Sequence, residues 1–496
     1  MLRINLCFLF LVCMIFQSAL AQPPPRPPNN AATEAAKTAQ VSLPAPSASA
    51  RDLFSRYKDR LVQVRVLLNS ANEQSSLGSA FVVRDDGAKG VWLLTNYHVV
   101  SSLAIDPDKF RIELRGTNER SVKASLVAVD VIHDLAVLRA EVGNASPPWP
   151  AFALRDGAPA QGERIFSLGN PLELGFLISE GIYNGLVESR IYEQMLFSGA
   201  LNSGMSGGPA IDEAGKVVGV NVATRRGAEL LSFLVPVRYA RELLESSWQA
   251  PPRKEWRTEI ARQLLVHQNF VAGKLLRLPD GGAALSTTVA PALPATPPAK
   301  QAAPAAPPAV QANPTTAVVV ASAKAGFASQ TLSGRNVPTL DGSLTKCWAG
   351  GRDGEKLRYQ RDSLNCSLRS ELFVRGNLYA GSLAVSHVLL RNEKLATPQF
   401  LAIDSFSRAA SFSAGSGGRE MTPNECRDDF VLGAKHVYRV AICLRGFRKF
   451  EGVYNFSVSA IQVDDARERL QSKLTLNGFS FENGQRLSQM FLERLQ

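Results

Sequence analysis

One string in this chain joins a hydroxyl nucleophile to the backbone freedom that acyl chemistry needs: Gly204-Met205-Ser206-Gly207-Gly208-Pro209. Glycines flanking a serine let a carbonyl group come close to the hydroxyl and leave backbone N–H groups free to receive an oxyanion. The string also satisfies Gly-x-Ser-x-Gly, the nucleophile turn of α/β-hydrolases, but that turn runs from a strand into a helix, with acid and histidine downstream. Here the sequel is Pro209-Ala210-Ile211, a turn at Asp212-Glu213-Ala214-Gly215 and the strand-like Val217–Val222, which reads as a hairpin. The missing groups lie upstream. Leu94-Thr95-Asn96-Tyr97-His98 places a histidine at the end of an apolar strand, and His133-Asp134-Leu135-Ala136-Val137 places an aspartate at the mouth of another. A neutral imidazole near its reference pKa of about 6.5 can take a serine proton, and a carboxylate behind it fixes the tautomer and stabilises the imidazolium.

The elements that must position these groups are short and extended. Apolar runs at Leu61–Leu68, Ser79–Arg84, Val91–Thr95, Phe110–Leu114, Val122–Val129, Leu135–Leu138, Arg164–Leu168, Ile182–Val187, Val217–Val222 and Leu231–Val235 are separated by Gly, Asn, Asp and Pro. That rhythm belongs to all-β sandwiches and barrels, and the lack of intervening helices excludes a doubly wound parallel sheet. Short helices are expected at Arg51–Arg60 and Tyr239–Leu244, and a longer one over Glu255–Leu276, where Ile260, Leu264, Leu265 and Phe270 recur at near-helical spacing.

The chain has 496 residues, 45% of them hydrophobic and 20% charged, which suits two or three globular domains and excludes a fibrous repeat. Fifteen of its 29 prolines fall in two windows, seven in Gln22–Ala50 and eight in Pro291–Pro314, marking an N-terminal Pro-rich segment (22–50) and an Ala/Pro-rich linker over 281–326. Arg3, the apolar run Leu6–Phe16 and Ala19-Leu20-Ala21 predict a signal peptide over 1–21, hence an exported protein, periplasmic or extracellular, with no transmembrane span in the mature chain. Cleavage leaves four cysteines, Cys347, Cys366, Cys426 and Cys443, which in an exported chain without a Cys-x-x-Cys pair read as a disulfide framework with three possible pairings. They lie in a second β-rich region, 327–496, with strand-like runs at Leu383–Leu390, Val437–Cys443 and Tyr454–Ile461 and a terminal helix at Gly484–Leu495. Because the linker separates it from the residues above, this region is expected to fold independently. His98, His133, His267, His387 and His436 form no His-x-x-x-His pair and no His-Glu-x-x-His motif, so neither a metal nor another cofactor is expected. The net charge of +11 suits an anionic partner, and the last region carries 23 Lys/Arg against 17 Asp/Glu, which directs an anionic envelope partner to it. No Lys/Arg block reads as a nucleic-acid arm.

His98, then Asp134 36 residues on, then Ser206 72 further on is the chymotrypsin order, unlike the orders in α/β-hydrolases and subtilisins. With Thr95-Asn96-x-His98-Val99, Asp134-Leu135-Ala136-Val137-Leu138, Leu168-Gly169-Asn170-Pro171, Gly204-x-Ser206-Gly207-Gly208-Pro209 and Val217-Val218-Gly219-Val220-Asn221, residues 51–248 resemble a trypsin-like serine protease domain, closest to the HtrA/Deg branch. The resemblance implies a mainly β fold of two six-stranded antiparallel barrels, and the near-helical spacing noted above adds a helical extension over 249–280. It implies an endopeptidase acting on protein or unfolded polypeptide substrates in envelope quality control. His98 would be the general base, Asp134 its orienting acid and Ser206 the nucleophile, with an oxyanion hole from the N–H groups of Gly204 and Ser206. The primary pocket would be lined from Ala200–Ser203 and Leu231–Val235, with Leu201, Asn202, Ser232 and Phe233 as its residues. No carboxylate stands there, so apolar side chains are expected before the cleaved bond. Two features depart from the family. Met205 replaces the usual Asn or Asp before the nucleophile, and no PDZ-like pattern follows Phe327. The alternative, favoured by Met205 alone and opposed by the complete set of His98, Asp134 and Ser206, is a weak or inactive protease-like scaffold serving as an envelope binding protein.

Overall fold

The computed structural model describes residues 47–117, 121–140, 149–187, 191–222, 231–248, 255–276, 327–340, 345–352, 358–368, 371–403, 418–433 and 435–495. The expected signal peptide, the Pro-rich segment up to residue 46 and the linker 281–326 lie outside them. After helix α1 (Ala48–Tyr57) come β1 (Leu61–Leu68), β2 (Glu73–Asp85), β3 (Val91–Thr95), α2 (Tyr97–Ile105), β4 (Phe110–Arg115), β5 (Ser121–Asp130) and β6 (Leu135–Ala140). These six antiparallel strands close into a barrel in the order β1-β2-β3-β6-β5-β4. A second closed barrel follows from β7 (Arg164–Gly169), β8 (Leu177–Leu186), β9 (Met195–Phe197), β10 (Pro209–Ile211), β11 (Val217–Val222) and β12 (Ser232–Pro236), in the order β10-β11-β12-β9-β8-β7. Closure removes every free strand edge.

Burial explains the two sequence patterns that mark these strands. β4 alternates, with Phe110, Ile112 and Leu114 inward and Arg111, Glu113 and Arg115 outward. β3 does not alternate, and all of Val-Trp-Leu-Leu-Thr is buried. One reason is that the barrels share a core, in which Phe81, Leu94, Leu135 and Val137 of the first meet Phe166, Leu168, Ile211 and Val235 of the second.

Helix α3 (Val237–Trp248) leads to α4 (Trp256–Leu276), which behaves as a splint. Its Trp256, Ile260 and Leu264 are buried with the first barrel, whereas Val271, Ala272 and Leu275 are buried in a second core made by the C-terminal strands. The apolar face therefore differs from the expected one: Phe270 is exposed and Leu265 only half-buried, while the polar His267 and Gln268 sit inside. The strands beyond it are β13 (Ala328–Leu332), β14 (Arg335–Thr339), β15 (Thr345–Arg352), β16 (Tyr359–Leu368), β17 (Leu372–Arg375), β18 (Leu378–Ala380) and β19 (Ser382–Asn392). They are followed by α5 (Thr397–Leu401), β20 (Glu425–Leu432), β21 (Val437–Phe447), β22 (Phe450–Gln462), β23 (Glu468–Phe479) and α6 (Phe481–Glu493). Seven of the strands form one antiparallel sheet in the order β15-β16-β19-β23-β22-β21-β20. Of the three possible cysteine pairings the structure has Cys347–Cys366 and Cys426–Cys443. Each joins directly opposed residues and ties an outer strand of the sheet to its neighbour.

The C-terminal region is not isolated from the barrels. Leu372, Val374, Leu378, Ala380, Phe447 and Phe450 share a buried cluster with Tyr97, Val99 and Ile105 of α2. From Ala48 onward the chain forms one compact unit. This departs from the expected independent module, because the apolar hairpin β17–β18, too short to stand out in the sequence, is buried against the first barrel.

Candidate active site

His98 lies one residue into α2 rather than on a strand. The first N–H groups of a helix have no partner inside it and carry its positive end. Asp134 supplies them from the turn between β5 and β6. Its backbone oxygen accepts from Tyr97 N at 3.2 Å and from Asn96 Nδ2 at 2.8 Å, while its carboxylate accepts from His98 N at 2.8 Å and from the ring at Nδ1 at 2.6 Å. One residue thus caps the helix and holds the imidazole. Asp134 adopts φ 58°, a left-handed conformation that Asp tolerates better than most residues. The turn is braced by Asp130, whose Oδ1 accepts from the N–H groups of Ile132 and His133, both at 3.0 Å. Burial on its own would lower the His98 pKa, but the charge and hydrogen bond of Asp134 outweigh it and raise the pKa above the ordinary histidine value.

Ser206 sits in the loop between β9 and β10, with 4% of its surface exposed, and two strands hold that loop. From β2, Ser79 donates its N–H to Ser206 O at 2.8 Å and its hydroxyl to Gly204 O at 2.7 Å. From β11, Asn221 donates Nδ2 to Leu168 O at 2.9 Å and Met205 O at 3.3 Å, and its backbone bonds both Gly207 N and Gly208 O. A trans peptide points its C=O and N–H in opposite directions. Holding Met205 O on the Asn221 side therefore turns Ser206 N–H to the other side. Among the described residues neither Gly204 N nor Ser206 N donates a hydrogen bond. Gly207, at φ 85°, must be glycine, since a Cβ there would lie 2.3 Å from both Ser79 O and Thr95 Oγ1. This close approach brings the loop against the residues that precede His98. Among the described residues Ser206 Oγ makes no hydrogen bond to His98, and such bonds are commonly long before substrate binds.

Met205 packs its thioether into the second-barrel core beside Phe197, Leu201, Val218 and Leu234. The loop around it is held by Ser79 and Asn221. Neither stood out as functional in the sequence, since a serine or an asparagine inside a strand has no spacing signature; only the Val217–Asn221 string hinted at the second. Of the expected pocket residues, Leu201 belongs to that core and does not line an open surface, Asn202 is exposed, Phe233 is half-buried, and Ser232 is buried with no hydrogen-bond partner for Oγ among the described residues.

Two closed six-stranded barrels with serine, histidine and aspartate at their junction define a trypsin-like domain. Residues 78–220 match the family model described as the trypsin-like peptidase domain. A "Probable periplasmic serine endoprotease DegP-like" of Halomonas elongata is 29% identical over 38% of this chain and 39% of its own length. A protein of the same description from Brucella suis is 31% identical over 34% of this chain and 32% of its own. "Serine protease HTRA2, mitochondrial" of Bos taurus is 32% identical over 35% of this chain and 38% of its own. The barrel region is thus similar to trypsin-like serine proteases of the HtrA branch, and the chain spans between 32% and 39% of the length of these relatives.

Proposed function

We propose that this chain is an exported serine endopeptidase in which Ser206, His98 and Asp134 form the catalytic triad. Ser206 Oγ attacks the scissile carbonyl while His98 Nε2 takes its proton. Asp134 keeps the Nδ1 proton in place and stabilises the imidazolium. The oxyanion of the tetrahedral intermediate is received by Gly204 N and Ser206 N. His98 then returns the proton to the leaving amine, and water hydrolyses the acyl-enzyme by the same steps in reverse roles. The observation that carries this reading is the double hold of Asp134 on His98, through backbone N–H and ring together, beside a serine loop whose two N–H donors have no acceptor among the described residues.

The relatives' printed names support protein substrates, and their periplasmic descriptions support export; a place in envelope protein quality control is proposed from the resemblance alone. Among the described residues no helix is long and apolar enough to cross a membrane. Without a carboxylate in 200–203 or 231–235, cleavage is expected after small or medium apolar residues such as Val, Ala or Leu, since an unpaired cation would be costly in such a site. The basic surplus of 327–496 supports docking of an anionic envelope polymer there. The second reading, an inactive scaffold, draws on Met205 and on the missing Ser206–His98 hydrogen bond. Degradation of unfolded casein by the purified protein, lost in Ser206→Ala, decides between them; casein cleavage that survives Ser206→Ala refutes the triad.

A further inference from the structure

The C-terminal region reaches the helix that carries His98. The Phe373 ring of β17 meets the imidazole edge-on, with centroids 6.1 Å apart and planes at 84°, and it also meets Tyr97 at 6.4 Å and Tyr379 at 5.7 Å. The next residue anchors the main chain: Tyr97, wholly buried, donates its hydroxyl to Val374 O at 2.8 Å. One residue further, Arg375 holds the other end of α2, placing Nη1 2.5 Å from the buried Asp106 carboxylate. Lys449, also from the C-terminal region, reaches the same carboxylate at 2.6 Å, and Arg257 of α4 reaches it at 3.0 Å. Burial would raise the Asp106 pKa, but the hydrogen bonds and charges of Lys449 and Arg375 outweigh it and hold the carboxylate below its ordinary range.

We propose that β17 is a working part of the active site, with Phe373 as a positioning residue for the His98 imidazole. The inference rests on the triad reading above. A hydrogen bond at Nδ1 leaves the ring free to rock about that contact, and a base that swings away from Ser206 Oγ spends less time in the productive geometry. Packed against the imidazole, the Phe373 side chain limits that swing by its apolar volume. Among the described residues the imidazole meets Asp134 from the β5–β6 turn and Phe373 from β17, while Ser101 on its own helix donates to the backbone oxygen of His98. The C-terminal region then serves catalysis without touching substrate, and undocking β17 would slacken the base.

The test uses full-length protein and measures the rate of fluorophosphonate labelling at Ser206 against pH, together with kcat and KM on a casein-derived peptide. Phe373→Ala is expected to slow labelling and kcat about tenfold with KM changed less than about twofold. Its pH limb should move upward, because a better-hydrated imidazole is easier to protonate. Phe373→Leu, which keeps apolar volume, should recover most of the rate. Tyr97→Phe leaves no cavity and frees Val374 O, and should slow labelling about threefold with KM unchanged; it reads out the same hold if Phe373→Ala does not fold. Wild-type labelling rates and an unmoved pH limb in Phe373→Ala and Tyr97→Phe would overturn the proposal. So would a rise in KM alone, which would make Phe373 a substrate contact. If the unaltered protein is not labelled at all, it is the triad reading that fails.

Discussion

The Asp134 side chain does two jobs at once, and both bear on how the site responds to substitution and to pH. Because members of the proposed triad would act as a unit, His98→Ala, Asp134→Asn or Ser206→Ala should each remove nearly all casein cleavage, and double variants should be scarcely worse than Ser206→Ala. With its pKa raised by Asp134, His98 becomes neutral only above the ordinary histidine value, so kcat/KM should climb through a midpoint above about pH 6.5. A midpoint well below 6.5 would mean that the coupling to Asp134 is absent in solution. Asn221→Ala tests the support of the serine loop. It deletes the Nδ2 bonds to Leu168 O and Met205 O and the acceptor for Ser167, and should cost about 2 kcal/mol of stability with a fall in kcat rather than a rise in KM. His98, Asp134 and Ser206 were legible in the sequence because their types, flanking glycines and order are constrained by chemistry. Ser79 and Asn221 were much less so, since what they do depends on which carbonyl a distant loop brings to them.

The strands of the two barrels followed closely from alternation and apolar runs, and Leu61–Leu68, Val91–Thr95 and Val217–Val222 agree with the structure to the residue. The three-residue β9 and β10 carry too few side chains to show a period. Helix α4 was legible as a helix but not in its orientation, because its buried face changes partner midway and includes His267. That imidazole faces Tyr192 Oη at 2.8 Å and Gly381 O at 3.2 Å, where glycine at φ 74° is required because a Cβ would lie 2.1 Å from the ring. His387, between Pro338 O and Ser472 Oγ, is likewise enclosed. Burial pushes both down to about 4, against the backbone acceptors that favour the charged form. The folded protein keeps them neutral while the unfolded chain protonates near 6.5. Stability present above that value is therefore lost as the pH falls from about 6.5 to about 4, by up to about 3 kcal/mol for each histidine. Denaturant melts at pH 7 and pH 5 should show the loss, and His267→Gln should reduce it. An outer strand tied to its neighbour should also depend on its bridge. The disulfides close loops with sequence separations of 19 and 17, worth about 3 kcal/mol each by restriction of the unfolded chain, and reductant should lower the melting temperature accordingly.

Across the whole chain, the sequence separated the barrels from the C-terminal strands because a Pro-rich stretch lies between them, yet composition does not reveal which surfaces meet. With α4 buried in both cores and β17–β18 packed on α2, unfolding of residues from Ala48 onward is expected as one transition, coincident in near-ultraviolet circular dichroism and in enzymatic activity. Residues 51–280 expressed alone would expose the faces that Val374, Leu378 and Phe450 cover, and should be less stable and less active than the full chain. Two separated transitions, or a fully active fragment, would restore the picture of independent modules. The central claim, however, is that Ser206 is an activated nucleophile. It is tested most directly by treating the purified full-length protein with a fluorophosphonate and mapping the adduct by mass spectrometry. A single adduct on Ser206, absent in His98→Ala, is the predicted result; no adduct, or one on another serine, would contradict it.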